Sequence, residues 1–255
     1  MAESAVTDKK AAIDATGLTK DYLLGEHRTL QTTVRRLTRR QIEASGLEAL
    51  SDVDLSVQRG EMLGIVGGNG SGKSTFLQLV CGITVPTKGA LTVRGRVLPL
   101  LAVGTGFHPE LTGRENVNLF GASIGIPTRV IRNSMDSVAA FADIERHMDT
   151  PVKRYSSGML SRLSFATAVM FPADIYLFDE VLAVVDAEFQ LRCLDEIREL
   201  SSRGRTVIFV SHNLDQVSEL CDRVVWLESG RVRQLGTPQV VLDSYLRARA
   251  ETDSP

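Results

Sequence analysis

The chain reads as an α/β protein built on a parallel sheet covered on both faces. Three observations predict this. Short apolar strand candidates alternate with helical stretches, one glycine-rich turn joins a strand directly to a helix, and one buried strand candidate runs into two adjacent carboxylates. Strands alternating with helices imply crossover connections, and hence a parallel sheet sandwiched between helices.

In chain order, residues 11–22 and 49–59 read as strands, the second with period-2 alternation at Val53, Leu55 and Val57. EMLGIVG (61–67) is an apolar strand ending in glycine, and STFLQLV (74–80) sets Phe76, Leu77 and Val80 on one helical face. ALTVRGRV (90–97) has the pattern of a hairpin, and from about 105 to 168 the pattern is helical. Strand candidates return at DIYLF (174–178), TVIFV (206–210) and RVVWL (223–227). The last opens a hairpin, RVVWLESGRVRQLG, followed by a helix over 238–250.

Between the strand at 61–67 and its helix lies GGNGSGKST (67–75), which fits G-x-x-x-x-G-K-[ST] with Gly67, Gly72, Lys73 and Ser74 in the specified places. The glycines at 67, 68, 70 and 72 free the backbone to turn successive N–H groups around a phosphate. The helix N-terminus adds its dipole and its unpaired N–H groups. A nucleoside triphosphate is the expected ligand, with Lys73 bridging the β- and γ-phosphates and the Ser74 hydroxyl on Mg²⁺. The bland alternative is a glycine-rich turn that matches by accident.

Bulk properties bound the rest. At 255 residues the chain is long for one domain and short for two, and 43% hydrophobic with 24% charged residues is ordinary for a globular protein with a sizeable core. A net charge of -2 argues against a general nucleic-acid-binding surface. Three cysteines at unrelated spacings (Cys81, Cys193, Cys221) suggest neither a disulfide framework nor a metal site. The first residues lack an apolar h-region, and no run approaches the ~18 apolar residues of a spanning helix, so a membrane role is expected to come through a partner. Five arginines fall between Arg28 and Arg40 with no acid among them, while Leu30, Val34, Leu37 and Gln41 lie at helical spacing. That segment reads either as a basic amphipathic helix for anionic headgroups or phosphates, or as a solvated surface helix.

The strand candidate Ile175–Phe178 ends in Asp179 and Glu180. A buried strand with this ending delivers two carboxylates to the sheet edge where α/β proteins bind ligands. Asp179 would hold Mg²⁺ through water and Glu180 would polarise an attacking water as general base. Taken alone, the pair reads equally as a strand ending at a solvated acidic turn.

Two further stretches bring in a family. YSSGMLSR (155–162) resembles the signature motif of ATP-binding cassette ATPases, and VSH (210–212) resembles their switch-histidine motif. With the phosphate loop and Asp179–Glu180 they stand in the family's order, and the resemblance runs from Tyr22 to about Tyr245. It implies a P-loop NTPase: a RecA-like parallel-sheet core with an antiparallel β subdomain over 1–104 and 169–255, plus an inserted α-helical subdomain over 105–168.

By that resemblance two copies sandwich two ATP molecules, and Ser156, Ser157 and Gly158 serve the site of the opposite copy. Tyr22 stacks on adenine, Gly67, Asn69, Gly70, Ser71, Gly72, Lys73, Ser74 and Thr75 cradle the phosphates, and Ser74 and Asp179 take Mg²⁺. Glu180, His212 and Lys73 carry the chemistry, and Asp186 communicates across the dimer. Without the family, His212 reads as a strand-end core histidine and Tyr22 as an edge residue.

Two departures narrow the resemblance. No glutamine occurs between Gln78 and Gln190, where most cassettes carry one at the metal, and Ala102 sits roughly in its place. The segment LLAVGTGFHPELTGREN (100–116), with YSSGM in place of LSGGQ, looks like the ATPase subunits that export polysaccharides, O antigens and teichoic acids. The expectation is a homodimeric ATPase, peripheral on the cytoplasmic face of the bacterial inner membrane. It would sit beneath a separate polytopic permease that its helical subdomain contacts, move a lipid-linked polysaccharide, and bind no nucleic acid. No carbohydrate-binding β-sandwich fits after the last hairpin. The rivals are a cassette for another cargo and a soluble cassette ATPase of DNA repair or translation.

Overall fold

The computed structural model describes residues 10–23, 46–100, 104, 106–180 and 186–252. The arginine-rich segment from Arg28 to Arg40 and Ala102 lie outside these residues. The chain order is β1 (Ile13–Leu23), β2 (Gly46–Val57), β3 (Met62–Val66), α1 (Lys73–Val80), β4 (Lys88–Val93), β5 (Val97–Leu100), α2 (Gly113–Ser123), α3 (Thr128–Ala142), α4 (Ser157–Met170), β6 (Ile175–Asp179), α5 (Ala187–Ser202), β7 (Thr206–Val210), α6 (Leu214–Leu220), β8 (Arg223–Glu228), β9 (Arg231–Gly236) and α7 (Pro238–Thr252). Among the described residues no helix is long and apolar enough to cross a membrane.

The strands form a six-stranded sheet, β5-β6-β7-β3-β8-β9, and a three-stranded antiparallel sheet, β2-β1-β4. In the larger sheet only β9 runs antiparallel, through its hairpin with β8. The expected parallel sheet and antiparallel β unit are both present.

Alternation along each central strand assigns side chains to two cores. Leu63, Ile65, Ile175, Leu177, Ile208, Val210, Val225 and Leu227 face the small sheet and Phe76 and Leu77 of α1. Their neighbours Met62, Val66, Tyr176, Phe178, Val207, Phe209, Val224 and Trp226 face the remaining helices. Both faces are apolar, so the strands read as continuous hydrophobic runs. On β2, Val53, Leu55 and Val57 are buried while Asp52 and Asp54 are exposed, the half-buried alternation expected of a strand with one wet face.

The hairpin expected at 90–97 does not form. β4 pairs with β1 in the small sheet, whereas β5 pairs in parallel with β6 in the large one. Arg94 to Arg96 carry the chain between sheets. Gly95 adopts φ +127, where a Cβ would lie 2.6 Å from that of Asp174, and the Arg96 N–H donates to Asp174 Oδ2 at 2.8 Å. The glycine that suggested a tight turn serves a crossover.

Between described residues 106 and 168 only helices, 3₁₀ turns and one isolated bridge, Thr112 to Pro151, occur. The entry to this region hangs on Asn116, which is fully buried. Its Oδ1 accepts from the His108 N–H at 2.6 Å, and its Nδ2 donates to the carbonyls of His108, Leu111 and Thr112 at 3.1, 3.0 and 2.9 Å. Thr112 and Glu115 then close a reciprocal capping box on α2. Asn116→Ala orphans the His108 N–H and removes one of two donors from each of three carbonyls, which keep only their backbone partners. It should lower the unfolding free energy by about 3 kcal/mol in urea titration, whereas a loss below about 1 kcal/mol would show that other contacts hold this loop.

Candidate functional site

The site forms where β3, β6 and β7 end side by side. β3 stops at Val66, and the chain must turn sharply under Leu227. A Cβ at Gly67 (φ +154) would stand 2.2 Å from the Leu227 carbonyl oxygen and 2.6 Å from Ser71 Oγ, and one at Gly72 (φ +102) would stand 2.6 Å from the Ala49 oxygen. Gly70 is also at positive φ, but Gly68 is not, and nothing lies within 4 Å of a Cβ at either. Glycine is therefore forced by packing at 67 and 72 alone. Behind the loop, Gly230 of the β8–β9 turn donates to the Ser71 carbonyl at 3.1 Å and accepts from the Ser51 N–H at 2.9 Å. One turn thereby ties the loop to both sheets.

Lys73 opens α1 and its side chain curls back over the loop. Nζ donates to the carbonyls of Gly67 at 2.8 Å and Gly68 at 3.0 Å. The residue is 8% exposed. Burial pulls its pKa down, and the nearby charges of Glu180 and then Asp179 oppose that shift. Ser71 Oγ is buried and has no hydrogen-bond partner. A curled ammonium and an orphaned hydroxyl inside one turn of backbone are a cradle that an anionic group fits.

Asp179, the last residue of β6, meets α1 through Ser74 Oγ, which donates to Oδ2 at 3.2 Å. Burial drives the Asp179 pKa up and Glu180 adds to the rise, while the Ser74 hydrogen bond, Lys73 and His212 pull it back. Two hard oxygen donors side by side, one a desolvated carboxyl, fit a small divalent cation.

Glu180 follows at φ +53, a left-handed conformation costly for a residue with a Cβ. Its N–H still reaches the Val210 carbonyl at 3.0 Å, so the ladder between β6 and β7 runs one residue past the strand. The twist brings Glu180 Oε1 to 2.8 Å from His212 Nε2 beyond β7. Lys73, Ser74, Asp179, Glu180 and His212, from three separate segments, thus converge.

Tyr22 lies at the end of β1, its hydroxyl 3.2 Å from Gln78 Oε1 on α1 and its ring beneath Lys20 Nζ at 5.0 Å. Thr75 is half-buried on α1, and Asn69 lines a cavity of ≈ 450 Å³ beside the loop. The signature stretch stands apart. Ser156 caps α4 by accepting from the Met159 N–H at 3.1 Å, Ser156 and Ser157 are exposed, and a Cβ on Gly158 would find its nearest neighbour at 3.8 Å. Among the described residues no hydrogen bond or ion pair joins these three to residues 67–75.

Asp186 caps α5 through the Phe189 N–H at 3.0 Å and receives two bonds from Arg162 of α4, at 3.2 and 2.6 Å. The Arg162 bonds hold the Asp186 pKa low. Arg162 also reaches Asp143 at 3.1 Å, Arg192 donates to the same carboxylate, and both guanidiniums lie over the Phe189 ring, at 5.0 and 5.1 Å. Sequence reasoning missed this assembly, as it did Tyr245 and Arg249 of α7, which line the cavity beside the loop. Their partners are distant in the chain, so no local pattern marks them.

This geometry has counterparts among known proteins. Residues 50–183 match the family model described as ABC transporter. The chain is 43% identical over 202 residues to an O-antigen export system ATP-binding protein of Klebsiella pneumoniae, covering 79% of this chain and 82% of that one. It is 42% identical over 197 residues to a teichoic acids export ATP-binding protein of Bacillus anthracis, covering 77% of this chain and 36% of that one. A dimeric ATP-binding cassette in a post-hydrolysis state with ADP and Pi superposes with a TM-score of 0.73 at 22% identity, over 89% of this chain and 98% of that one.

The loop geometry separates Gly67 from its neighbour Gly68. Gly67→Ala should lower unfolding stability by at least about 2 kcal/mol, since a side chain there meets backbone at an unfavourable φ. Gly68→Ala should stay within about 0.5 kcal/mol of the parent, as for other substitutions with open space around them. Equal effects in a thermal unfolding comparison would refute this division of roles.

Proposed function

The chain belongs to the ABC transporter family as its ATP-hydrolysing subunit, and from that premise we propose that it powers the export of a lipid-linked polysaccharide. The observation that carries the cargo class is the likeness, over most of both chains, to an O-antigen export ATP-binding protein. The teichoic acid export relative extends the same class to another glycan. The working assembly is a homodimer beneath a separate polytopic permease, peripheral on the cytoplasmic face of the inner membrane. The helical segment 105–168, inserted between core regions 1–104 and 169–255, would meet that permease.

In this reading Gly67 to Thr75 hold the phosphates, with Lys73 exchanging its two backbone carbonyls for phosphate oxygens. Tyr22 presents its ring to the base once Lys20 moves off it. Ser74 and Asp179 are the residues that would hold Mg²⁺, which when bound neutralises charge on the phosphate oxygens. Glu180 accepts a proton from the attacking water, and His212, already at 2.8 Å, holds its carboxylate and faces the terminal phosphate. Among the described residues Ser156, Ser157 and Gly158 make no hydrogen bond or ion pair to the phosphate loop of their own chain, which supports their serving a nucleotide on a second copy. Asp186, bonded to Arg162 of the signature helix, would relay the state of one site toward the other.

Glu180→Gln should retain ATP binding yet lose hydrolysis by about two to four orders of magnitude, the range for removing a general base. Turnover near the parent rate in a phosphate-release assay would remove Glu180 from that role. For the cargo, cells carrying Lys73→Ala should build lipid-linked polymer on the cytoplasmic side while surface glycan falls. Extraction of the lipid-linked pool alongside surface staining decides this: a normal surface with no trapped intermediate leaves an ABC ATPase with another cargo.

A further inference from the structure

Helix α7 is fixed relative to the phosphate loop by aromatic packing. Trp226 of β8 pairs in register with Val66, the residue just before Gly67. Its indole meets the ring of Tyr245 edge-on, with centroids 5.5 Å apart and planes at 73°. Val241, Leu242 and Tyr245 are all buried, so this part of the helix has little freedom to shift.

One turn beyond Tyr245, the Arg249 guanidinium lies over the same ring at 5.8 Å. Tyr245, Ala248 and Arg249 are spaced i, i+3, i+4 and share one helix face. That face forms one wall of the ≈ 450 Å³ cavity, and Gly67 to Ser71 and His212 form another. Arg249 also lines a second, narrow cleft together with Lys73 and His212. Ala248 is the small residue on this wall, which leaves room between helix and loop. Among the described residues no carboxylate pairs with Arg249, and Glu228, which also lines the cavity, lies 3.8 Å from Arg233.

We propose that Arg249 is a second cation of the phosphate site and contacts the terminal phosphate of the nucleotide held by its own chain. The inference rests on the ATPase reading above and adds to it a binding residue supplied by α7. Lys73 alone is a single, partly desolvated ammonium against several phosphate charges. A guanidinium offers a planar fork matched to phosphate oxygens. Because ADP lacks the terminal phosphate, this contact distinguishes the two nucleotides.

The test uses the full chain carrying Gly158→Asp, a position with room for the side chain, so that copies do not pair across ATP and only contacts within one chain are read. ATP and ADP affinities are measured by calorimetry in buffer free of divalent cations, with a melting curve to establish folding. Arg249→Gln should weaken ATP binding about tenfold and ADP binding by less than about twofold, with Arg249→Lys recovering part of the loss. Equal weakening for both nucleotides, or no change in either, overturns the proposal. So does a loss that appears only when Gly158 is intact, which would assign Arg249 to contacts with a second copy. Failure of the Gly158→Asp parent to bind either nucleotide would bring down the ATPase reading itself and Arg249 with it.

Discussion

The arrangement of the site depends on one desolvated carboxyl group, that of Asp179. A parallel strand buried on both faces carries it to the sheet edge, and the surroundings supply partial compensation from Ser74, Lys73 and His212. Ser74 and Lys73 arrive on α1, and His212 arrives from beyond β7. The carboxyl therefore draws α1, β6 and the end of β7 toward a single point. The same burial that raises its pKa lowers that of Lys73, so desolvation works against the charged form of both groups. A site in that condition gains from binding groups of both signs, a phosphate for the lysine and a cation for the carboxylate.

The two-core construction explains how so many elements can converge on one sheet edge. Odd and even residues of one strand belong to different cores: Ile175 and Leu177 face the small sheet and α1, whereas Tyr176 and Phe178 face the helices. Phe178 stacks with Phe165 of α4, with centroids 5.8 Å apart. The strand that ends in Asp179 and Glu180 is thus packed against the helix that begins at Ser157. At the rim, Gly67, Gly72 and Glu180 take positive φ, as do Asp52, Asp143 and Ser229 outside it.

Much of this was legible in the sequence because it is local. The strand, loop and helix around Lys73, the apolar run ending in Asp179 and Glu180, and the β8–β9 hairpin each occupy a short window whose pattern carries its own meaning. The turn at Arg94–Gly95 was misread because a glycine between two strand-like runs looks the same whether the chain reverses or crosses to another sheet. The partition of residues 175–178 between two cores was invisible, since all four are apolar and their alternation has no polar phase. Asn116 escaped notice for a different reason: a buried asparagine whose four bonds go to backbone shows nothing in its neighbours' side chains. The Asp143–Arg162–Asp186–Arg192 assembly joins α3, α4 and α5, and only the folded chain brings its members together.

The position of β3 has a consequence for how the protein is made. This strand, which launches the phosphate loop, lies at the middle of the sheet with β7 on one side and β8 on the other. Met62 pairs with Val207, and Leu63 with both Ile208 and Arg223. The loop's rear anchor, Gly230, comes later still. During synthesis from the N-terminus, a fully apolar strand therefore emerges with both hydrogen-bonding edges bare and must wait for more than half the polypeptide before either is covered. At about 5–20 residues per second that interval is many seconds. An unpaired, hydrophobic strand is a template for pairing with other chains. The topology that centres the phosphate loop thus makes the nascent protein dependent on shielding by the ribosome and chaperones until its last third is complete.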